Sequence, residues 1–476
     1  MDAQSEASGR AAPSIEALLR ENDELRARIA EIERRTQVSP PPPLLDFDRL
    51  TGLARREVLV DRLDHCMLRS ARTREQYAVL YCDLDGFKLV NDVFGHEAGD
   101  AVLAEVATRL REYVRPYDTV ARFGGDEFVL LLEDVSDTSV AMNIAQRIVE
   151  AMCEPIELPH AQAMIGISIG VAASSGGDIP PDALLARADA AMYEAKHAGK
   201  GRVEMFDGEL DARLTDRREL GRDLRCALER GELELWYRPV ASLDTGCIAS
   251  LEGSVRWNHP TRGVLEPATF VPIAYATGVI EQIDEWVLTT AATDMITWRR
   301  DDPDLVAWIT VSARLLMRDN GARRILATLA AAGADARSVG IEVGEDAVVH
   351  DFADTVAALR ELHDGNVLVA LDNFCGQLTV PQLHSLRPDT VKLDRSFLTR
   401  LGTDVESATA IRSITGMIRP LGVTVVAKGV DSREQLAAVI SLNCDAAQGA
   451  ITGQAARAAD LEFTRCVFEP ELEPAG

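Results

Sequence analysis

At 476 residues the chain is long enough for two or three domains of ~150 residues each. Its 47% hydrophobic and 26% charged residues, with no dominant low-complexity tract, exclude a disordered or fibrous chain. Its 76 Asp+Glu against 50 Lys+Arg give a net charge of -26. That balance repels nucleic-acid backbone and anionic lipid, so an anionic nucleotide needs local Lys, Arg or metal to bind.

The N-terminal residues lack a basic-then-apolar leader, and no apolar run reaches the ~18 residues of a membrane span. The 8 Cys are scattered without a CxxC and read as reduced thiols, not as a disulfide framework or zinc site. A cytoplasmic protein is expected. Residues 1–14 are small and polar and read as disordered. Over 15–38, Ile15, Leu18, Asn22, Leu25, Ile29 and Ile32 alternate between a and d positions of a heptad. Glu21 and Arg28 at g face Arg26 and Glu33 at e, a pattern that predicts a parallel coiled-coil homodimer. The SPPPP run at 39–43 ends the helix, and 39–45 reads as a stiff linker.

From 46 to 207 apolar runs alternate with amphipathic segments, which predicts an α/β domain with a central sheet flanked by helices. AVLYCDLD, FVLLLEDV and AMIGISIGVAAS read as strands; 100–114, 137–152 and 181–196 read as helices. Residues 208–231 are charged and suit a connecting helix. Beyond it, short strands separated by helices, with polar residues at the strand ends, predict a (β/α)₈ barrel over 216–465, then a tail from 466 to 476.

Asp83 and Asp85 stand where an apolar strand ends, and Asp126 and Glu127 follow Gly124 and Gly125 in RFGGDEF. A Gly-Gly pair lets backbone approach a ligand closely, and carboxylates beyond it can hold a divalent cation, although Gly-Gly-Asp alone is most often a hairpin turn. Lys88, Asn91, Asp92, His96 and Asp100 crowd one short stretch, and Lys196 and Lys200 lie four apart, on one face of a helix end able to receive a triphosphate.

CDLDGFKLVNDVFGHEAGD, RFGGDEF and YEAKHAGKGR, in this order and spacing, resemble the GGDEF family of diguanylate cyclases; DRLTGLARR resembles its opening motif, with Arg55 where Asn is usual. The resemblance spans 46–207 and implies condensation of two GTP into cyclic di-GMP, one GTP on each of two facing domains. It implies a Mg²⁺ (or Mn²⁺) site at Asp83, the Leu84 carbonyl, Asp126 and Glu127, with either Asp126 or Glu127 as general base. By the same resemblance Asn91 and Asp100 recognise guanine, and Lys88, Lys196 and Lys200 contact phosphates or their transition-state charge. Lys200 stands where Arg is commoner. Gly124 and Gly125 admit the phosphates, and His96 completes the substrate set. Arg115 and Asp118 in RPYD match the family's inhibitory product site, a pairing that elsewhere is usually a surface salt bridge.

The segment 251–280 resembles the EAL family of cyclic di-GMP phosphodiesterases, barrels that use two metals. Glu252, Arg256, Glu342, Asp372, Lys392, Asp394 and Gln448 match its ligand site. Gly253 and Ser254 depart from its signature, and Thr310, Asn373 and Lys428 replace metal-binding Asn, Asp and Glu. Arg238 replaces a substrate-contacting Gln, and CGQLTV departs from the loop that couples substrate to metal. Such a site should not hold two cations, so the barrel reads as degenerate. Its remaining residues either still receive a nucleotide or persist as scaffold. The sequence thus points to a cyclase with a silent barrel serving regulation or dimerisation. The alternatives are a non-catalytic GTP or cyclic di-GMP sensor acting through a protein partner, and a bifunctional cyclase–phosphodiesterase.

Overall fold

The computed structural model describes residues 46–158, 161–175, 177–399, 405–461 and 466–468. The expected coiled coil and proline-rich linker lie outside these residues. Two compact units divide at Leu214 and Thr215, within a helix (α6, Gly208–Ala227). That helix ends before the expected 231, because Arg230, Gly231 and Glu232 turn back onto Cys226, Leu228 and Ala227 carbonyls.

The first unit runs α1 (Arg56–Thr73), β1 (Gln76–Asp85), α2 (Phe87–Phe94), α3 (His96–Glu112), β2 (Thr119–Gly124), β3 (Glu127–Val135) and α4 (Thr138–Met152). A small hairpin of β4 (Ile156–Leu158) and β5 (Ala161–Ala163) follows, then β6 (Gly166–Ser175), α5 (Pro181–His197) and β7 (Val203–Met205). The main sheet has the order β2-β3-β1-β6-β7, with β1 antiparallel to both neighbours. Side chains along a strand alternate between faces, and β1 is apolar on both. Ala78, Leu80, Cys82 and Leu84 enter one core with α3 and α4, while Tyr77 and Val79 enter another with α1 and α5. This two-sided burial is why AVLYCDLD reads as a continuous apolar run up to its terminal acids.

The second unit opens on β8 (Leu233–Ser242), β9 (Ile248–His259) and β10 (Gly263–Leu265), followed by helices Pro267–Thr277 and Ile280–Trp298. Strands β11 (Val306–Thr310), β12 (Val339–Gly344), β13 (Val369–Phe374), β14 (Thr390–Leu393), β15 (Thr424–Lys428) and β16 (Ala446–Gln448) follow, mostly with helices between them, and β17 (Ala456–Arg457) comes last. β9 and β11 through β16 pair in parallel, β10 adds to β9 as an antiparallel edge, and β8 closes the ring by pairing antiparallel with both β9 and β16. The result is an eight-strand barrel, as expected, with its first strand reversed. Gly340 lets the Trp308 ring lie on the neighbouring strand: an added Cβ would stand 2.3 Å from its Cε3.

One expectation needs correction. Cys247, in the turn before β9, is joined in a disulfide to Cys466, at a sequence separation of 219. The returning segment also bonds here, the Val467 N–H donating to the Gly246 carbonyl at 2.9 Å. Sequence spacing carries no sign of this, because a closed barrel brings its first turn and its last segment together.

Two acid centres

In the first unit the RFGGDEF turn is an ordinary hairpin that carries the candidate acids. Gly124 pairs with Glu127 across β2 and β3, leaving Gly125 and Asp126 at the tip, where Gly125 takes φ 53°, a left-handed conformation that favours glycine. A Cβ on either glycine would meet nothing within 4 Å, so the surface beside the acids is open. Arg122 pins the turn through Nε and Nη2, which donate to the Gly125 carbonyl at 3.0 and 2.7 Å. Its Nη1 reaches Asp48 Oδ1 at 3.2 Å, which connects the turn to the DRLTGLARR segment.

β1 delivers Asp83 opposite Glu127 in register, and the Leu84 N–H donates to the Asp126 carbonyl. Asp83 is 8% exposed. Burial pushes its carboxyl up, with Asp126 and Glu127 adding in the same direction and Lys196 opposing. Lys196 Nζ lies 2.6 Å from Asp83 Oδ1. Tyr81, whose hydroxyl donates to Glu127 Oε2 at 3.2 Å, has its own ionisation pushed up by burial. Among the described residues no three His, Cys, Asp or Glu side chains converge as a ready metal cage. The candidate donors are carboxylates together with the Leu84 carbonyl. Mutual repulsion among these acids is the electrostatic deficit that a cation relieves, so the set fits a divalent ion.

Asn91 lies on α2 and Asp100 and His96 on α3, and the close approach of those helices rests on Gly99, whose added Cβ would stand 2.0 Å from Asn91 Oδ1. Lys88, His96 and Asp100 are exposed. Lys200 does not share a helix face with Lys196, contrary to expectation. The helix stops at His197, and Lys200 follows at φ 62° with its N–H on the Ala195 carbonyl. Gly199 and Gly201, at φ 121° and 56°, carry the chain through this turn. Asp85 is not free for ligand: its carboxylate accepts from Ser168 Oγ and the Gly201 N–H, each at 2.9 Å.

Arg115 and Asp118 border a cleft of about 380 Å³ that also includes Arg62 and Arg111. Asp118 accepts the backbone N–H groups of Arg115 and Glu133 at 2.8 and 3.0 Å, while the Arg115 guanidinium turns to Tyr117. The pair therefore is not the surface salt bridge that such spacing usually makes.

The barrel centre is built from Glu252 on β9, Glu342 on β12, Asp372 on β13, Lys392 on β14, Lys428 on β15 and Gln448 on β16. Lys392 Nζ, wholly buried, lies 2.5 Å from Glu252 Oε2 and also pairs with Glu342. It faces the Trp308 ring at 6.0 Å. Lys428 Nζ lies 2.6 Å from Asp372 Oδ1 and 3.5 Å from Asn373 Oδ1. Thr310 Oγ1 donates to Glu342 Oε2 at 3.2 Å. Burial alone would raise Glu252, but Lys392 and Lys428 hold it well below the usual carboxylate range. Glu342 is pushed up by burial and by Glu252 and Asp372.

Other matched residues are engaged elsewhere. Asp394 accepts the Ser396 N–H at 2.8 Å, and Arg256 is held by Glu266 at 3.0 Å and Ser254 at 2.7 Å. Arg238 pairs in register with Glu252.

Sequence reasoning missed two acids. Glu345 is buried and accepts backbone N–H groups of Cys375, Gln377 and Leu378, which fixes the CGQLTV loop. Asp284 lines a mostly apolar cavity of about 380 Å³ with Gly253, Ser254, Tyr275, Thr310 and Ser312. Its carboxylate accepts from the Ser312 hydroxyl and N–H, and burial pushes it up to about 7.

A diguanylate cyclase, GGDEF domain, model matches residues 45–202, and an EAL domain model matches 221–455. The chain is a GGDEF–EAL tandem protein. It is 34% identical over 411 residues to the bifunctional diguanylate cyclase/cyclic di-GMP phosphodiesterase MucR of Pseudomonas aeruginosa, covering 86% of this chain and 60% of that one. To the cyclic di-GMP phosphodiesterase NbdA of the same organism it is 33% identical, covering 94% of this chain and 56% of that one. The tandem thus spans between about half and two thirds of the length of these relatives. The Vibrio cholerae LapD S helix-GGDEF-EAL structure, bound to c-di-GMP, superposes with TM-score 0.60 at 18% identity over 92% of this chain and 99% of that one, a likeness of fold.

Proposed function

We propose that the GGDEF unit is a working diguanylate cyclase, and that the EAL barrel is a non-hydrolytic regulator or dimer platform. The cyclase reading is carried by the juxtaposition of Asp83 with Glu127 beside an open Gly124–Gly125 turn. A divalent ion held by Asp83, the Leu84 carbonyl, Asp126 and Glu127 supplies charge compensation for the triphosphate and acidity for the attacking 3′-hydroxyl. The chain's own residues do the rest. Asp126 or Glu127 takes the hydroxyl proton, the glycines admit the phosphates, and Lys88, Lys196 and Lys200 offset charge on the leaving pyrophosphate. Asn91 and Asp100 offer amide and carboxylate groups to the guanine edge. Each product needs two GTP, so two such units must face each other, the arrangement a coiled coil over 15–38 would favour.

The barrel reading rests on Lys428 against Asp372, at a position where hydrolysis needs negative charge. MucR is named as bifunctional, which favours phosphodiesterase activity here, and this ion pair opposes it.

Purified protein with Mg²⁺, given GTP or cyclic di-GMP in separate tubes, tests both parts. Cyclic di-GMP from the first tube and no linear dinucleotide from the second is the expected result. Intact GTP, after bound product has been stripped away, overturns the cyclase reading and leaves a nucleotide sensor. Linear dinucleotide in the second tube overturns the barrel reading.

A further inference from the structure

The EAL fold implies a two-cation centre, and the residues present do not fit one. Two Mg²⁺ ions ~4 Å apart need several carboxylate oxygens, each at about 2.0–2.1 Å. Here every carboxylate of the centre already meets an ammonium: Glu252 and Glu342 meet Lys392, and Asp372 meets Lys428. The remaining oxygens come from neutral amides, Asn373 and Gln448, and from a hydroxyl, Thr310, which is itself turned onto Glu342.

Lys428 is also held in place. It is the last residue of β15, paired in register with Gln448. The next two N–H groups, of Gly429 and Val430, both donate to the Gln448 carbonyl, at 2.7 and 3.0 Å. Gly429 turns the chain at φ 85°, with the Arg395 side chain packed so close that an added Cβ would stand 2.7 Å from its Cγ. The backbone beneath the lysine is therefore fixed, and its side chain is 17% exposed.

We propose that Lys428 is a built-in replacement for a divalent cation: its ammonium fills the position beside Asp372 and Asn373 from which a metal would coordinate them, and it closes the barrel mouth to Mg²⁺ and Mn²⁺. The inference deepens the non-hydrolytic reading of the barrel by stating what took the metal's place. A dication approaching Asp372 meets a fixed positive charge within a few ångströms, in surroundings of low dielectric where such repulsion is strong.

The test is Mn²⁺ binding to the full chain without nucleotide, read by the electron-spin signal of free Mn²⁺. Asp372→Asn in the wild-type background should leave Mn²⁺ binding unchanged. Lys428→Glu should gain one site, at least tenfold tighter than any wild-type site that depends on Asp372, and adding Asp372→Asn should remove it. Lys428→Met supplies a second readout. Losing the ammonium should lower the barrel's melting temperature by roughly 5–10 °C. Millimolar Mn²⁺ should restore part of that loss and should raise the wild-type midpoint by less. Loss of Mn²⁺ on Asp372→Asn in the wild type, no gain with Lys428→Glu, or equal Mn²⁺ stabilisation of Lys428→Met and wild type overturns the proposal. If Lys428→Glu fails to fold, the Lys428→Met comparison decides alone. A wild-type barrel that takes up Mn²⁺ yet leaves cyclic di-GMP intact overturns this inference and spares the non-hydrolytic reading.

Discussion

Lys196 meets Asp83 at 2.6 Å from the last turn of a helix, with 31% of its side chain exposed. Lys428 meets Asp372 at the same 2.6 Å with 17% exposed, and Lys392 beside it is fully enclosed. What differs is escape. The first lysine lies on a rim beside an open glycine turn, so on the proposed reading a phosphate or a metal draws it off its carboxylate. The barrel lysines rise from adjacent strands and have nowhere better to go. One ion-pair distance thus describes a replaceable counter-charge in one unit and a permanent one in the other.

The largest effect should come from removing a permanent one. Lys392→Met leaves Glu342 buried without its cation and Glu252 with Lys428 alone, and should cost the barrel about 3–5 kcal/mol in urea unfolding, whereas Lys196→Met should cost no more than about 1 kcal/mol. Equal costs would erase the contrast. On activity the asymmetry reverses. Asp83→Ala should lower cyclic di-GMP formation by about 10²–10³-fold, in the range seen when a charge-stabilising group is lost, and Asp372→Asn should leave it unchanged. A cyclase rate that falls as far with the second variant as with the first would tie the barrel acids to the chemistry.

Asp284 sharpens the comparison through pH. Its carboxyl holds a proton when folded up to about pH 7 and releases it near 3.8 when unfolded. The stability it contributes is therefore full below pH 3.8 and is lost as pH rises towards 7. Asp284→Asn should flatten that part of the barrel's pH–stability curve by a few kcal/mol at most, measured as urea midpoints at pH 4.5 and 7.5. An unchanged slope would mean that the carboxylate is better solvated than its burial implies. The smallest effect concerns Arg115: Arg115→Ala should raise the cyclic di-GMP concentration that half-inhibits the cyclase by about tenfold, the loss of one charged contact. Progress curves of the variant that bend as early as those of wild type would remove the product-site reading.

The geometry of the proposed cyclase centre was legible in sequence because its parts lie in short contiguous motifs. A strand end and a two-residue hairpin tip place Asp83, Asp126 and Glu127 almost by register alone. Lys200 was misplaced because the helix ends at His197 and Gly199 turns the chain before it. In the barrel the losses were legible one residue at a time, as Thr310, Asn373 and Lys428, but the compensation was not. Lys392 finds Glu252 across 140 residues, and Asp284 finds Ser312 from a neighbouring helix. Such pairs depend on which elements face one another once the ring closes, which local patterning does not state. The tie between Cys247 and Cys466 escaped for the same reason.

That tie has a topological consequence. Because β8 runs against its neighbours, its turn into β9 lies on the rim opposite the carboxyl ends of the parallel strands. With the sulfurs joined there, nearly the whole barrel becomes one closed loop of chain, and a loop of that size withholds about 5 kcal/mol of entropy from the unfolded ensemble. A protease cut anywhere between Cys247 and Cys466 then opens the loop without releasing a fragment, and the resilience of that stretch to nicking follows the state of two sulfurs far from the acids.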